Sequence, residues 1–235
     1  MTATLLIHTF RLVLDTPDNW REKANGQSVV MTGLAPRIEV ALVWLLWCFL
    51  HSLLISRWWM AACRSRLGER FVGGWYRVFF NGISLATLVP VLFLQFSFKQ
   101  VVLFSWPGWW IGIKILLYAY ALYMLYAGLR RYDLPFFVGS SQVKAYLAGA
   151  ALPRPVFAVD TIGGVRHPWY SGGIALVWAY GPVTDVSLAS KMVLSSYLVV
   201  GAFLEERKLL AEIGAPYAEY RHRLPMLIPR FKVKK

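Results

Sequence analysis

The chain has 235 residues, of which 57% are hydrophobic and 16% charged, with a formal net charge of +13. Together with a positive mean hydropathy, this balance excludes a soluble globular domain of this length and indicates an integral membrane protein. The chain suits one bundle of a few spanning helices, and no hydrophilic stretch is long enough to build a second globular domain.

Residues 1–36 are expected to be an N-terminal extension or interfacial segment. A mildly apolar stretch from Leu5 to Leu14 precedes a polar one from Asp15 to Gly33, which contains Pro17 and Asn25-Gly26. The apolar stretch has no basic start and no small-residue cleavage site, so a signal peptide is not expected, and Met31 is an alternative start. From residue 37 to 235 one membrane domain is expected. Apolar runs at 38–56, 78–98 and 109–129 are each near the ~20 residues that a spanning helix needs. Two more, at 170–181 and 186–204, are separated by Pro182 and Asp185. The first of these is short and is either tilted or partly inserted. Pro182 marks a hairpin turn, because proline cannot continue the ladder of backbone hydrogen bonds. The expected fold is all-α: a polytopic membrane bundle of about five spans with a C-terminal cytoplasmic helix.

The basic residues cluster between the apolar runs. Arg57, Arg64, Arg66, Arg70 and Arg77 follow the first, five more lie from Arg130 to Arg166, and eight follow Leu204. The connection between the second and third runs carries only Lys99. Such asymmetry places the basic loops in the cytoplasm, with the N-terminus outside and the C-terminus inside, in a bacterial inner membrane. Membrane topology thus accounts for the charge without nucleic acid, and the bilayer itself is the expected partner. Oligomeric state is left open. Cys48 and Cys63 have no partner spacing for zinc or a redox pair and read as packing residues.

The connection from Arg130 to Arg166 is long for a compact membrane protein, and loops of that length are more often functional than idle. Asp133-Leu134-Pro135 breaks the helix, residues 141–147 suit a short interfacial helix, and Pro153-Arg154-Pro155 forces an extended path. Gly163-Gly164 then permits unusual dihedrals just before Arg166-His167-Pro168-Trp169-Tyr170. Pro168 suits the first turn of a helix, which places His167 beside a helix N-terminus, where negative charge is favoured. Interfacial anchoring by Arg166 and His167 is the plainer alternative.

Glu205 and Glu206 end the fifth apolar run, where the helix is expected to continue into the cytoplasm. One of them must lie near the face packed on the bundle, where polar residues need a reason. A carboxylate there can bind an ammonium group or ribose hydroxyls, or offset a sulfonium charge. The alternative is a solvated ring of Glu205, Glu206, Arg207 and Lys208. His8, His51, His167 and His222 show no close metal-binding spacing, so no metal site is expected.

The ordered set Arg166-His167-Pro168-Trp169-Tyr170, Leu204-Glu205-Glu206-Arg207-Lys208-Leu209 and Gly214-Ala215-Pro216-Tyr217-Ala218-Glu219-Tyr220, ending at Leu224-Pro225, resembles the isoprenylcysteine carboxyl methyltransferase and phospholipid methyltransferase superfamily. A weaker likeness, in His51-Ser52-Leu53-Leu54, Trp75-Tyr76-Arg77 with Asn81, and Tyr132-Asp133-Leu134, is to bacterial methanethiol S-methyltransferases. The resemblance implies a membrane enzyme that uses S-adenosylmethionine, with its cofactor site mainly within 153–225. It maps that site onto Pro155, Val156, Phe157, Ile162, His167, Pro168, Trp169, Tyr170 and Glu205. Ile162 stands where the family often has tyrosine. Gly201 stands where prenylcysteine enzymes carry an arginine, which argues against a prenylcysteine carboxylate as acceptor.

Methyl displacement asks chiefly for alignment of nucleophile, methyl carbon and leaving sulfur. A thiol would react as thiolate, stabilised by Arg166 or Arg131. An amine would need a base, with His167 or Tyr170 nearest. Arg166, His167 and Tyr170 are therefore the catalytic candidates for a small or lipophilic acceptor. Sterol reductases, which bind a reduced nicotinamide cofactor, resemble the same C-terminal arrangement, and a non-catalytic accessory protein is the third alternative.

Overall fold

Lipid offers backbone groups no hydrogen bonds, so long apolar runs satisfy their own as helices. The computed structural model describes residues 34–131, 133–153 and 163–230. Within them, four helices are long and apolar enough to cross a membrane: α1 (Leu34–Ile55), α3 (Glu69–Ser97), α4 (Trp110–Arg131) and α8 (Asp185–Ile213). Large side chains such as Leu42, Phe49, Phe93 and Leu116 remain exposed on them, as lipid contact requires. Shorter elements join them: α2 (Arg57–Leu67), β1 (Val102–Phe104), α5 (Leu134–Val138), α6 (Ser140–Leu147), α7 (Pro168–Ala179), β2 (Val183–Thr184) and α9 (Ala215–Arg223). The protein is an integral membrane helical bundle.

Four of the five expected apolar runs fold as these long helices, and the remaining one is as short as its sequence indicates. The fourth apolar run folds as α7, which has only 12 residues. At 1.5 Å per residue this is about 18 Å, well short of a hydrocarbon core of ~30 Å. Close packing on α4 shelters it. A Cβ on Gly172 would stand 2.9 Å from the Met124 Cβ and 3.0 Å from the Ala121 carbonyl, and one on Gly128 would fall 1.9 Å from the Trp169 ring. Small residues here let the two backbones approach, as is usual between membrane helices. Trp169 Nε1 adds a hydrogen bond to the Leu125 carbonyl at 3.1 Å.

Proline and polar caps set the hairpin that follows. Lys191 Nζ donates to the carbonyls of Val177 and Tyr180 at 2.5 and 2.8 Å, satisfying the last turn of α7. Thr184 and Ser187 form a capping box that starts α8. β2 pairs antiparallel with β1, from the α3–α4 connection. Asp185 accepts from the Val101 amide at 2.9 Å and pairs with Arg37 at 3.1 Å. The starts of α1 and α8, the α3–α4 connection and the end of α7 therefore share one end of the bundle. At that end Trp44 Nε1 of α1 also donates to the buried Gln95 of α3 at 2.7 Å.

The start of α7 lies at the opposite, arginine-rich end. There α3 begins at Glu69, ahead of the apolar run, so it carries Arg70 and Arg77. Asp133 caps α5 through the Phe136 amide, and α6 falls where an interfacial helix was expected. α8 runs on through Glu205 and Glu206 to Ile213, as the sequence suggested.

Candidate functional site

Gly163 and Gly164 hold φ values of +89° and +64°, a region that favours glycine, and they make the turn that precedes Arg166. His167 is then the N-cap residue of α7 and Pro168 its first helical residue. The C-terminal segment closes over this helix start. The Arg166 amide donates to the Pro225 carbonyl at 2.9 Å and the His167 amide to Met226 at 3.1 Å. Ser171 Oγ donates to Leu227 at 2.7 Å and meets the Tyr120 hydroxyl at 2.6 Å.

Glu206 is the ionic hub of this block. Its Oε1 accepts from Arg166 Nε at 2.5 Å and lies 3.3 Å from His167 Nε2, while its Oε2 is 3.6 Å from Arg221 Nε. Arg166 also donates through Nη1 to the carbonyls of Arg221 and Leu224, which ties α7, α8 and the C-terminal segment together. The Arg166 and Glu206 side chains are only 9% and 7% exposed, so each charge depends on the other for compensation.

Glu205, one residue away, is turned differently: its side chain is 30% exposed and its Oε2 is 3.9 Å from His167 Nδ1. His167 thus sits between two carboxylates with its side chain 3% exposed. Burial, assisted by Arg166, holds its pKa below the usual histidine value, although Glu205 and Glu206 pull upward. The imidazole is therefore neutral at pH 7. A carboxylate can only accept, so Nε2 carries the proton toward Glu206, and Nδ1 is left as an acceptor on the Glu205 side. Burial and the charge of Glu206 also raise the phenol pKa of Tyr217 on α9, so this side chain stays protonated.

The Tyr170 ring meets the His167 ring edge-on at 5.5 Å. It also lies across Gly201 of α8, where an added Cβ would be 3.2 Å from its Cε1. The space that an arginine would need at this position is filled by Tyr170. Trp169 turns instead toward α4, against Gly128 and the Leu125 carbonyl, with the Phe137 ring 4.7 Å away. Pro168 is fully buried. A cleft of about 470 Å³ opens beside this block, lined by Arg166, Glu206, Arg221, His222 and Arg230 with Phe203 as an apolar wall.

Of the residues singled out in the sequence, Arg166, His167, Tyr170 and Glu205 come together at this helix start. Pro155, Val156, Phe157 and Ile162 lie outside the described residues. Glu206 and Arg221 were missed as organisers of the site. The available signal was helical phase: Ala202 and Glu206, one turn apart on α8, are both buried.

The polar block, the short α7 and the apolar helices set the context for comparison with known proteins. The chain is similar to methanethiol S-methyltransferases. It is 42% identical over 66 residues to methanethiol S-methyltransferase 2 of Bradyrhizobium diazoefficiens, covering 28% of this chain and 26% of the relative. It is 38% identical over 92 residues to methanethiol S-methyltransferase 1 of the same organism, covering 39% and 32%. With the methanethiol S-methyltransferase of Mycobacterium tuberculosis it shares 37% identity over 65 residues, covering 28% and 27%. The matches thus span about a quarter to a third of these curated relatives' length. No family model and no solved structure matches. The likeness to the isoprenylcysteine carboxyl methyltransferase-like membrane superfamily nevertheless holds through these relatives.

Proposed function

We propose that this chain is a membrane-embedded methyltransferase that transfers a methyl group from S-adenosylmethionine to a small thiol, with methanethiol as the first acceptor to test. The observation that carries this reading is the similarity, at up to 42% identity, to relatives named for that acceptor. The donor set at the start of α7 fits the cofactor's chemistry. Glu205 is a partly exposed carboxylate suited to an ammonium or ribose hydroxyls, and Arg221, His222 and Arg230 line a cleft suited to a carboxylate. Pro155, Val156, Phe157, Ile162, His167, Pro168, Trp169, Tyr170 and Glu205 form the proposed cofactor-binding set.

When bound, S-adenosylmethionine would supply an electrophilic methyl carbon on a cationic sulfur: the thiolate sulfur would bond to that carbon as the carbon–sulfonium bond breaks, and the bonding pair would leave with the neutral thioether of S-adenosylhomocysteine. His167 accepts the thiol proton at Nδ1, since Nε2 is held by Glu206. Tyr170 borders the reacting groups and Arg166 fixes the imidazole through Glu206. By the positive-inside rule the arginine-rich end faces the cytoplasm of a bacterial cell, with the N-terminal end of α1 on the outside of the inner membrane.

The test is transfer of labelled methyl from S-adenosylmethionine to methanethiol by the protein in liposomes, read as dimethyl sulfide. Absence of label in any of a panel of thiols would overturn the thiol assignment. Oxidation of a reduced nicotinamide cofactor without methyl transfer would overturn the reaction class.

A further inference from the structure

Membrane depth makes polar side chains costly, and a group of them on facing helices calls for an account. Such a group continues inward from the site along α8. Glu205, Gly201 and Tyr197 are spaced four residues apart, so they lie on one face, about 6 Å apart along the axis. Tyr170 covers Gly201. One turn deeper, the Tyr197 hydroxyl meets Ser52 Oγ of α1 at 3.0 Å, with the His51 ring 6.3 Å from the Tyr197 ring. His51 Nδ1 is held by Ser84 Oγ of α3 at 3.1 Å, and its ring stacks on Trp47 at 5.1 Å. All of these side chains are only partly buried, so none is locked away in the centre of the bundle.

We propose that this seam is the acceptor site: a small thiol enters between α1 and α8, is held by Tyr197, Ser52 and His51, and reaches the methyl group past Tyr170. This rests on the functional reading above. The chemistry suits a small neutral thiol. Two hydroxyls and an imidazole give the S–H group donors and acceptors, and aromatic rings favour contact with sulfur. Tyr170 over Gly201 narrows the end nearer the donor, which restricts the bulk of what passes it.

The alternative is that these hydrogen bonds only glue the helices together, and steady-state kinetics separate the two. For Tyr197→Phe and Ser52→Ala, the KM for methanethiol is expected to rise about fivefold to tenfold, the effect of one lost hydrogen bond. Binding of S-adenosylmethionine by titration calorimetry should stay at the wild-type value, and the thermal midpoint should fall only by the small step of the one Tyr197–Ser52 hydrogen bond that both variants lose. An unchanged thiol KM in both variants overturns the site, as does a fall in the thermal midpoint with parallel loss of donor binding. A wild-type protein that methylates no thiol overturns the functional reading and the site with it. An active wild type with kinetically silent variants overturns the site alone.

Discussion

Removing the carboxylate of Glu206 while keeping its shape, as in Glu206→Gln, tests the central claim about the site. The wild-type Arg166–Glu206 pair is nearly dry, at 9% and 7% side-chain exposure. Loss of one partner of a buried pair costs about 3–5 kcal/mol, because the remaining charge is left uncompensated. The lower end applies, since Arg166 keeps the carbonyls of Arg221 and Leu224 as acceptors. Arg221 contributes little to this sum, because its side chain is 44% exposed and solvent screens it. The expected loss is therefore about 3 kcal/mol, read as a lower unfolding midpoint in detergent micelles by tryptophan fluorescence. Amides of the segment from Leu224 to Leu227 should lose hydrogen-exchange protection at the same time. The paired variant Arg166→Met with Glu206→Met should be less destabilised than either Glu206→Gln or Arg166→Met alone, because it buries no charge. A paired variant as unstable as the sum of the singles would refute the reasoning and move the cost to packing.

Two further outcomes follow from the same geometry. Burial depresses the pKa of His167, so the folded state favours the neutral ring. Its contribution to stability is present above the ordinary value of 6.5 and is lost as the pH falls from there through the depressed folded value. Glu205 and Glu206 oppose that depression and Arg166 reinforces it; thermal midpoints measured across this window should slope downward with acid in the wild type and flatten in His167→Gln, and equal slopes would refute it. Gly128→Ala places a Cβ 1.9 Å from the Trp169 ring, an overlap that neither helix can absorb without moving. Destabilisation of about 1–3 kcal/mol is expected, and an unchanged midpoint would show that α7 does not depend on this contact.

Much of the membrane architecture was legible in order along the chain. A spanning helix needs a long apolar run, and such a run is visible without knowing what it touches. The Pro182 turn, the helix start at Pro168 and the short helix after Gly139 were legible for a similar reason: each depends on the backbone chemistry of a few neighbours. α7 was less so. Its shortness was legible in the run from 170 to 181, but its packing on α4, which Gly128 and Gly172 permit, was not. That contact joins residues more than forty positions apart.

The two adjacent glutamates mark the same boundary within the site. Sequence established that one of them faces the bundle, since the apolar run ends there. Which one faces inward depends on helical phase, and each residue turns the side chain by about 100°. Packing of α8 against α7 and the C-terminal segment brings Glu206 onto Arg166 and His167 and leaves Glu205 partly open. The sequence alone thus determined a membrane bundle with a polar block at its arginine-rich end, because hydropathy and charge act over short stretches. Only the tertiary structure decided how that block is wired, because its ion pairs and hydrogen bonds join segments that are neighbours in space and not along the chain.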